Sequence, residues 1–527
     1  MAGFESLLGV LLVAVLLAAA ARRLGAPYPA FLAIGGGVLA LVPGAPKFSI
    51  NPEVALALFV APVLLDAAYD TSPRDLKDYW VPITSLAVVS VLVTTAAVAL
   101  VIRAIVPDMP WAAAIALGAI VSPPDAAAAM AVLKQLRPPH RIVTILGGES
   151  LLNDASALLI YRLAVVGGGT AAISLSGVAP TMLLVLAGSV LAGIVLARLF
   201  LWLTRNVTDV PTAIILQFLG TYGVWIIADR LGLSSILTMV CYAFAIARVA
   251  PASTPARLRL PSYAVWETAV FLLNVLAFVF IGLQVGPILA GLPRAMRPRY
   301  LAAAGLVLAT VIVARVAWVM LHTAVVLWKN RRFGYRPPRT GAPPPTWGGS
   351  LVVSWAGMRG IVTLAAALAL PVEGPAGPFP HRDLIVVTAF AVVVGTLVLQ
   401  GLTLKPLLRL LRLREDDPVG REVEAARERA LASALRSLDD DRSPAADAVR
   451  QELEAHLGPG GEIGERPGGA AGTHERSIAG RSRPRGARSS RCATGTRSAT
   501  TRSTGSRRRS TGSRSARPER WSRIPPP

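Results

Sequence analysis

The chain has 527 residues, of which 53% are hydrophobic and 16% are charged, and its mean hydropathy is +0.55. Soluble domains carry about 25% charged residues, so this composition excludes a soluble globular protein and indicates one that crosses a membrane several times. The two cysteines, Cys241 and Cys492, exclude a disulfide framework and a cysteine-based metal site.

The net charge of +22 is concentrated near the C-terminal end of the sequence. Residues 466–527 contain 16 arginines and two glutamates, which together supply +14 of the total. The remaining net charge of +8, on residues 1–465, is ordinary for a membrane protein with basic cytoplasmic loops. The net charge therefore does not indicate a nucleic-acid partner.

Hydropathy and helix-breaking residues predict an all-α polytopic membrane protein with about thirteen transmembrane helices. The predicted spans are 4–21, 28–43, 52–69, 80–102, 111–134, 141–166, 177–203, 210–228, 231–250, 263–289, 299–328, 347–371 and 383–411. No basic segment precedes the apolar core of the first span, so we interpret it as a transmembrane helix and not as a signal peptide.

The distribution of basic residues in the loops predicts the orientation of the chain. Loops after odd-numbered spans hold roughly twice the Lys and Arg of the other loops, which places the N-terminus outside and the C-terminus in the cytoplasm. The main observation against this orientation is the loop at 292–300, LPRAMRPRY, which has three arginines on the opposite side.

The composition changes after the last span, which divides the chain into three parts. Residues 1–413 form the predicted transmembrane domain, and residues 414–457 form a charged cytoplasmic helical segment. Residues 458–527 are rich in Arg, Ser and Gly and cannot bury a core, so we predict disorder. We interpret this tail as dispensable or as an out-of-frame translation of GC-rich coding sequence; contact with anionic lipid or nucleic acid is the alternative.

The sixth span carries polar residues in the middle of an apolar helix, in the sequence GGESLLNDASALLIYR at 147–162. Helical spacing places Ser150, Asn153 and Asp154 on one stripe, with Glu149 at its edge. A mid-membrane carboxylate costs roughly 2.5–3.5 kcal/mol or more, so such acids are usually functional. These oxygens suit a small hard cation, whereas polar contacts between helices are the simpler interpretation.

The fifth and twelfth spans each contain an interruption. In the fifth, Ser122, Pro123 and Pro124 predict an unwound stretch just before Asp125, although a simple proline kink is the alternative. In the twelfth, Arg359 lies among glycines within an apolar run, and Glu149 is its candidate ion-pair partner. The two spans lie seven apart, as expected for an inverted repeat of six spans, a linker span and six more.

Three other polar residues in the spans have weaker claims to function. Asp66, late in the third span, is predicted either to face the same cavity or to lie at the cytoplasmic interface. For Glu267 and His322 we favour packing, interfacial or inter-subunit contacts over ion binding.

Five segments together resemble the bacterial branch of the monovalent cation:proton antiporter family, to which the sodium/proton exchangers belong. They are SPPDA at 122–126, GESLLNDASAL at 148–158, FVFIGLQ at 278–284, SWAGMRGIVTLAAALALP at 354–371 and TLVLQGLTLKPLL at 396–408. The resemblance implies an inverted-repeat fold of thirteen helices in a bacterial inner membrane, a homodimer, and a core that moves against a dimerisation bundle.

The resemblance also implies roles for individual residues. Asp154 would be the carboxylate shared by cation and proton, with Ser150 as a ligand and Asn153 as support. Asp125 would belong to the unwound crossover, Glu149 would pair with Arg359, and Asp66 occupies a position where relatives often have a glutamate. Many relatives have Thr and Pro around the crossover aspartate, where this chain has Pro124 and Ala126, so the Thr ligand is absent.

The predicted function is exchange of a monovalent cation, Na⁺ or else K⁺ or Li⁺, for H⁺ by competition at one carboxylate. The resemblance implies that this exchange is electroneutral and one for one, because in the family an Asn-Asp pair such as Asn153 and Asp154 marks electroneutral exchange. Such a protein is a secondary transporter, for which we expect no enzymatic activity and no cofactor; its partners are the transported ions, the lipid bilayer and a second copy of the chain. A cation channel, an organic-anion carrier and an ion sensor are the alternatives. The mid-membrane acids oppose anion transport, and the sequence offers no filter loop or output domain for the other two.

Overall fold

The computed structural model describes residues 2–457, apart from 43–50, 134–135, 137, 168–174, 335–343, 373–378, 414–416, 440 and 442. All regular elements in this part of the chain are helices. Eight helices within it are long and apolar enough to cross a membrane, and shorter apolar helices stand between them. The predicted tail at 458–527 lies outside the described residues.

Each predicted span coincides, within the described residues, with one helix or with one interrupted helix. We number them as follows: α1 Ala2–Arg23, α2 Tyr28–Ala40, α3 Pro52–Asp70, α4 Trp80–Ile105, α5a Trp111–Val121, α5b Ala126–Leu133, α6 His140–Gly167, α7 Leu175–Thr204, α8 Val210–Arg230, α9 Ser235–Ser253, α10 Ala256–Leu283, α11 Arg297–Phe333, α12a Trp347–Trp355, α12b Ile361–Leu368 and α13 Arg382–Leu411. The all-α polytopic fold predicted from hydropathy is confirmed.

Shorter elements and the segment after α13 complete the described chain. Short helices occupy Pro73–Asp78, Val285–Ala290 and Arg294–Met296. The segment predicted to be helical at 414–457 contains two helices, Pro418–Ser437 and Pro444–Leu457. Compactness divides the chain into Met1–Arg427 and Glu428–Pro527, and the membrane helices all belong to the first unit.

The membrane helices pack into two groups. Bundle I contains α1–α3 and α7–α10, and bundle II contains α4–α6 and α11–α13. Helices seven positions apart occupy the same bundle, and because successive spans alternate in direction, such partners run antiparallel. This is the arrangement that an inverted repeat of six spans, a linker span and six more produces.

The crossing of α2 and α10 fixes the centre of bundle I. Gly36 packs directly against the carbonyl oxygen of Val279, and Gly282 packs against the carbonyl oxygen of Ala33. A Cβ atom on either glycine would collide with the backbone of the other helix. Small residues permit such close helix contacts in membranes, where dispersion forces rather than the hydrophobic effect hold helices together.

Candidate functional site

The polar stripe of α6 is buried inside the protein. Glu149, Asn153 and Asp154 expose 1%, 0% and 8% of their surface, and Ser150 is half-buried. Asp154 and Ser150 line a cavity of about 40 Å³ together with Asp125 of the fifth span. This volume accommodates a small cation or a water molecule.

The fifth span is interrupted where the sequence predicts it. α5a ends at Val121 and α5b begins at Ala126, so Ser122, Pro123, Pro124 and Asp125 form the non-helical connection. The Asn153 side-chain amide donates a 2.8 Å hydrogen bond to the Pro124 carbonyl oxygen. The Asp125 carboxylate accepts a 2.8 Å hydrogen bond from the backbone of Ala127 and thereby caps α5b, at the positive end of its dipole.

The twelfth span is interrupted beside the fifth. α12a ends at Trp355 and α12b begins at Ile361, and the backbone nitrogen of Asp125 donates a 2.6 Å hydrogen bond to the carbonyl oxygen of Met358. The carboxylate of Asp125 also lies against Gly360, the residue that precedes α12b. Asp125 therefore lies at the N-termini of two half-helices, both of which favour a negative charge.

Arg359 binds backbone carbonyl oxygens of both interruptions. Its guanidinium donates to the carbonyl oxygens of Val121 and Ser122 at 3.0 and 3.1 Å, and also to that of Gly357. These carbonyls lie at or just beyond the C-terminal ends of α5a and α12a, where a cation offsets the negative end of the helix dipole.

The predicted ion pair between Glu149 and Arg359 is wrong. The carboxylate of Glu149 binds both terminal nitrogens of Arg315 on α11, at 2.5 and 2.8 Å. Arg315 also donates to the carbonyl oxygens of Val353 and Ser354 near the end of α12a. The backbone carbonyl oxygens of the two breaks accept the hydrogen bonds of Arg359. Glu149 therefore forms its bidentate ion pair with Arg315 of α11.

The sequence interpretation missed Arg315, although a signal for it was present. Arg315 is only 2% exposed and stands in the apolar run VIVARVAW at 311–318. The rule that singled out Arg359, that a charge deep in a membrane helix needs a partner, applies equally to Arg315.

Asp66 lies apart from the cavity that contains Asp154. It lines a second cavity of about 150 Å³ within bundle I, together with Tyr69, Gln217 and Trp266. The α3 residues that reach the first cavity are apolar and lie two to seven residues earlier, between Phe59 and Leu64. The sequence left two positions open for Asp66. The structure does not place it in the cavity of Asp154, which was one of the two.

Two further polar residues line the cavity of Asp154 and were not identified from the sequence. They are Asn274 of α10 and Thr363 of α12b. A single amide or hydroxyl within a long apolar helix is common enough in membrane proteins that hydropathy alone does not mark either residue as part of a site.

Two interrupted helices that cross at buried carboxylates define the class of this protein, a secondary ion transporter with inverted repeats. Residues 10–410 match the family described as sodium/hydrogen exchanger, transmembrane, and the chain belongs to this family. The family predicted from the sequence motifs is confirmed. The protein is thus a multi-pass membrane antiporter of monovalent cations and protons and not an enzyme.

Similar proteins agree with this assignment, and a solved structure shares the fold. The chain is 33% identical over 441 residues to an uncharacterized Na(+)/H(+) exchanger of Mycobacterium bovis, covering 80% of this chain and 78% of that protein. It is 31% identical to the sodium, potassium, lithium and rubidium/H(+) antiporter of Bacillus pumilus, covering 78% of this chain and 62% of that protein. The sodium proton antiporter MjNhaP1 of Methanocaldococcus jannaschii shares the fold, with a TM-score of 0.60 at 17% identity, covering 79% of this chain and 99% of that one.

Proposed function

We propose that the protein exchanges one monovalent cation for one proton, without net charge movement, at the carboxylate of Asp154. The observation that carries the proposal is the charge balance around the cavity. Glu149 is neutralised by Arg315, and Asp125 and Arg359 both lie at the paired helix breaks. Counted formally, these two carboxylates and two guanidiniums cancel, which leaves the net charge of the site to Asp154.

Asp154 differs from the other two acids in its surroundings. Within the described part of the chain, its carboxylate has neither an ion pair nor a hydrogen-bond donor, whereas Glu149 has Arg315 and Asp125 has the backbone of Ala127. A buried carboxylate without a partner is costly in its charged form, so it favours taking up either a proton or a cation. Each occupant neutralises it and excludes the other, and this exclusion couples the two fluxes.

The groups around Asp154 suit a small cation. Ser150 supplies a hydroxyl oxygen to the same cavity, and Asn153 holds the unwound Pro124 next to it. Hard oxygen ligands bind alkali cations, and the cation selected depends on the size of the cavity and the number of ligands. We propose Na⁺ as the first candidate and K⁺ or Li⁺ as further ones, since the relative from Bacillus pumilus is named for all of these with rubidium.

The proposed cycle moves bundle II, which carries Asp154 and both helix breaks, against bundle I. The hydrogen bonds of Asp125 to Met358 and of Arg359 to Val121 hold α5 and α12 together, so the site moves as one body. Bundle I would form the contact of a homodimer. The positive-inside rule supports an N-terminus outside and a C-terminus in the cytoplasm of a bacterial inner membrane.

Proteoliposomes with a trapped pH dye test the proposal. The wild type should show proton flux on addition of Na⁺, K⁺ or Li⁺, unaffected by a valinomycin-clamped voltage, and Asp154→Asn should abolish it. Glu267→Gln is the matched control, because it also neutralises an acid of a membrane helix but at an exposed position. Full flux in Asp154→Asn, or flux that follows the voltage, would overturn the single-carboxylate exchange.

A further inference from the structure

Asn274 places an amide group in an otherwise apolar stretch of its helix. It stands in the run FLLNVLAFVF at 271–280 of α10, surrounded by apolar residues along the helix. An amide in a membrane helix is retained where it finds a polar partner or faces a polar cavity, because hydrocarbon offers it neither. Asn274 lines the cavity that also contains Asp154, Ser150 and Asp125.

The wall of this cavity is formed by both bundles, and the two sides differ in chemistry. Bundle II supplies the carboxylates of Asp125 and Asp154 and the hydroxyls of Ser150 and Thr363. Bundle I supplies four apolar side chains of α3, which are Phe59, Val60, Val63 and Leu64, and one polar side chain, Asn274. Among the described lining residues, Asn274 is the polar group on the side of bundle I.

The packing of α10 keeps Asn274 with bundle I. Two turns beyond Asn274, Gly282 packs against the backbone of α2 at Ala33, and Val279 packs against Gly36. α10 cannot follow bundle II without breaking this close contact. A motion of bundle II against bundle I would therefore separate Asp154 from Asn274.

We propose that Asn274 is a cation-selecting residue, whose amide oxygen binds the incoming cation or its water in the conformation seen here and releases it when bundle II moves. This inference rests on the exchange at Asp154 proposed above. The Asn274 oxygen completes the ligand set on one side of the membrane only. A proton needs no such ligand, so Asn274 discriminates in favour of the cation without taking part in proton binding.

The test compares Asn274→Leu, Asn274→Gln and the wild type in oriented vesicles, everted and right-side-out, with Na⁺, K⁺ and Li⁺. Asn274→Leu should raise the KM for the cation roughly two- to tenfold, the loss expected for one uncharged ligand, in one vesicle orientation and not in the other. The kcat should be unchanged, and Asn274→Gln, which keeps the amide, should restore part of the affinity or change the order of preference among the three cations. Thr268→Val, on an exposed face of the same helix, is the control.

Two results would overturn the inference. One is an unchanged KM for all three cations in Asn274→Leu; the other is a KM that rises equally in both vesicle orientations, since that would mean that Asn274 supports the fold of the site. Both are distinct from failure of the exchange proposal, which the flux of Asp154→Asn decides in the same vesicles.

Discussion

At the scale of single residues, the chemistry of the helix crossing depends on which buried arginine pairs with which buried acid. The sequence predicted that Glu149 needs a cationic partner, and it has one, but the partner is Arg315 and not Arg359. Hydropathy places all three residues at similar depth and says nothing about lateral distances between α6, α11 and α12. The choice between two arginines depends on how the helices pack, and only the structure resolves it.

Loss of Arg315 should strongly destabilise the protein, because it leaves the carboxylate of Glu149 buried and unpaired. We expect Arg315→Gln to lower the free energy of unfolding by about 3–5 kcal/mol, and the double variant Glu149→Gln/Arg315→Gln to recover much of that loss. Thermal unfolding of the purified protein measures both. The matched comparison is the double variant Glu149→Gln/Arg359→Gln against Arg359→Gln alone. If stability recovers in this pair and not in the first, the ion pair between Glu149 and Arg315 is contradicted.

At the scale of elements, the sequence predicted the existence of each membrane helix better than its ends. α10 begins at Ala256, seven residues before the predicted span at 263–289, and α11 continues to Phe333, beyond the predicted end at 328. Helical hydrogen bonding continues into polar sequence such as ARLRLP, whereas hydropathy detects only the part inside the bilayer. The breaks in α5 and α12 were predictable from prolines and glycines, but their mutual hydrogen bonds were not.

The crossing of the two interrupted helices leaves no room for a side chain at Gly360. A Cβ atom there would collide with the carboxylate of Asp125, so Gly360→Ala should push Asp125 out of its position at the two half-helix ends. We expect transport to fall about 10- to 100-fold, as for a small displacement within a site, with the protein still folded. Cation-driven proton flux measures the change.

Gly305→Ala on α11 provides the control for this prediction, because a Cβ at Gly305 meets open space. It should transport like the wild type. Normal flux in Gly360→Ala would mean that Asp125 tolerates displacement and that the contact between the two breaks is not required.

At the scale of the whole molecule, the two bundles contribute different chemical groups to the cavity around Asp154. Bundle II holds the acids of the cavity around Asp154 and both helix breaks, and bundle I presents an apolar wall with one amide to that cavity. The alternation of spans and the seven-span separation of the breaks were sufficient to predict this inverted repeat. The second cavity, which contains Asp66, was not predictable, since one turn of α3 decides which of two cavities a side chain enters.

The membrane domain should function without the Arg-rich tail. We expect truncation after Leu457 to leave the KM for the cation and the maximal flux unchanged, since the helices that form the site end with α13 at Leu411. Flux in proteoliposomes with and without anionic lipid measures this. A loss of activity confined to vesicles with anionic lipid would instead assign the tail to contact with the membrane surface.

The long separation between the paired charges has a consequence for biosynthesis. Glu149 lies 166 residues before Arg315, and the carbonyl of Val121 lies 238 residues before Arg359. At about 5–20 residues per second, a ribosome delivers α6 to the membrane roughly 10–30 seconds before α11. During that interval Glu149 and the freed carbonyls of α5 are without the arginines that later bind them. The polar groups of the first repeat therefore remain without their charged partners in the membrane until the second repeat has been inserted.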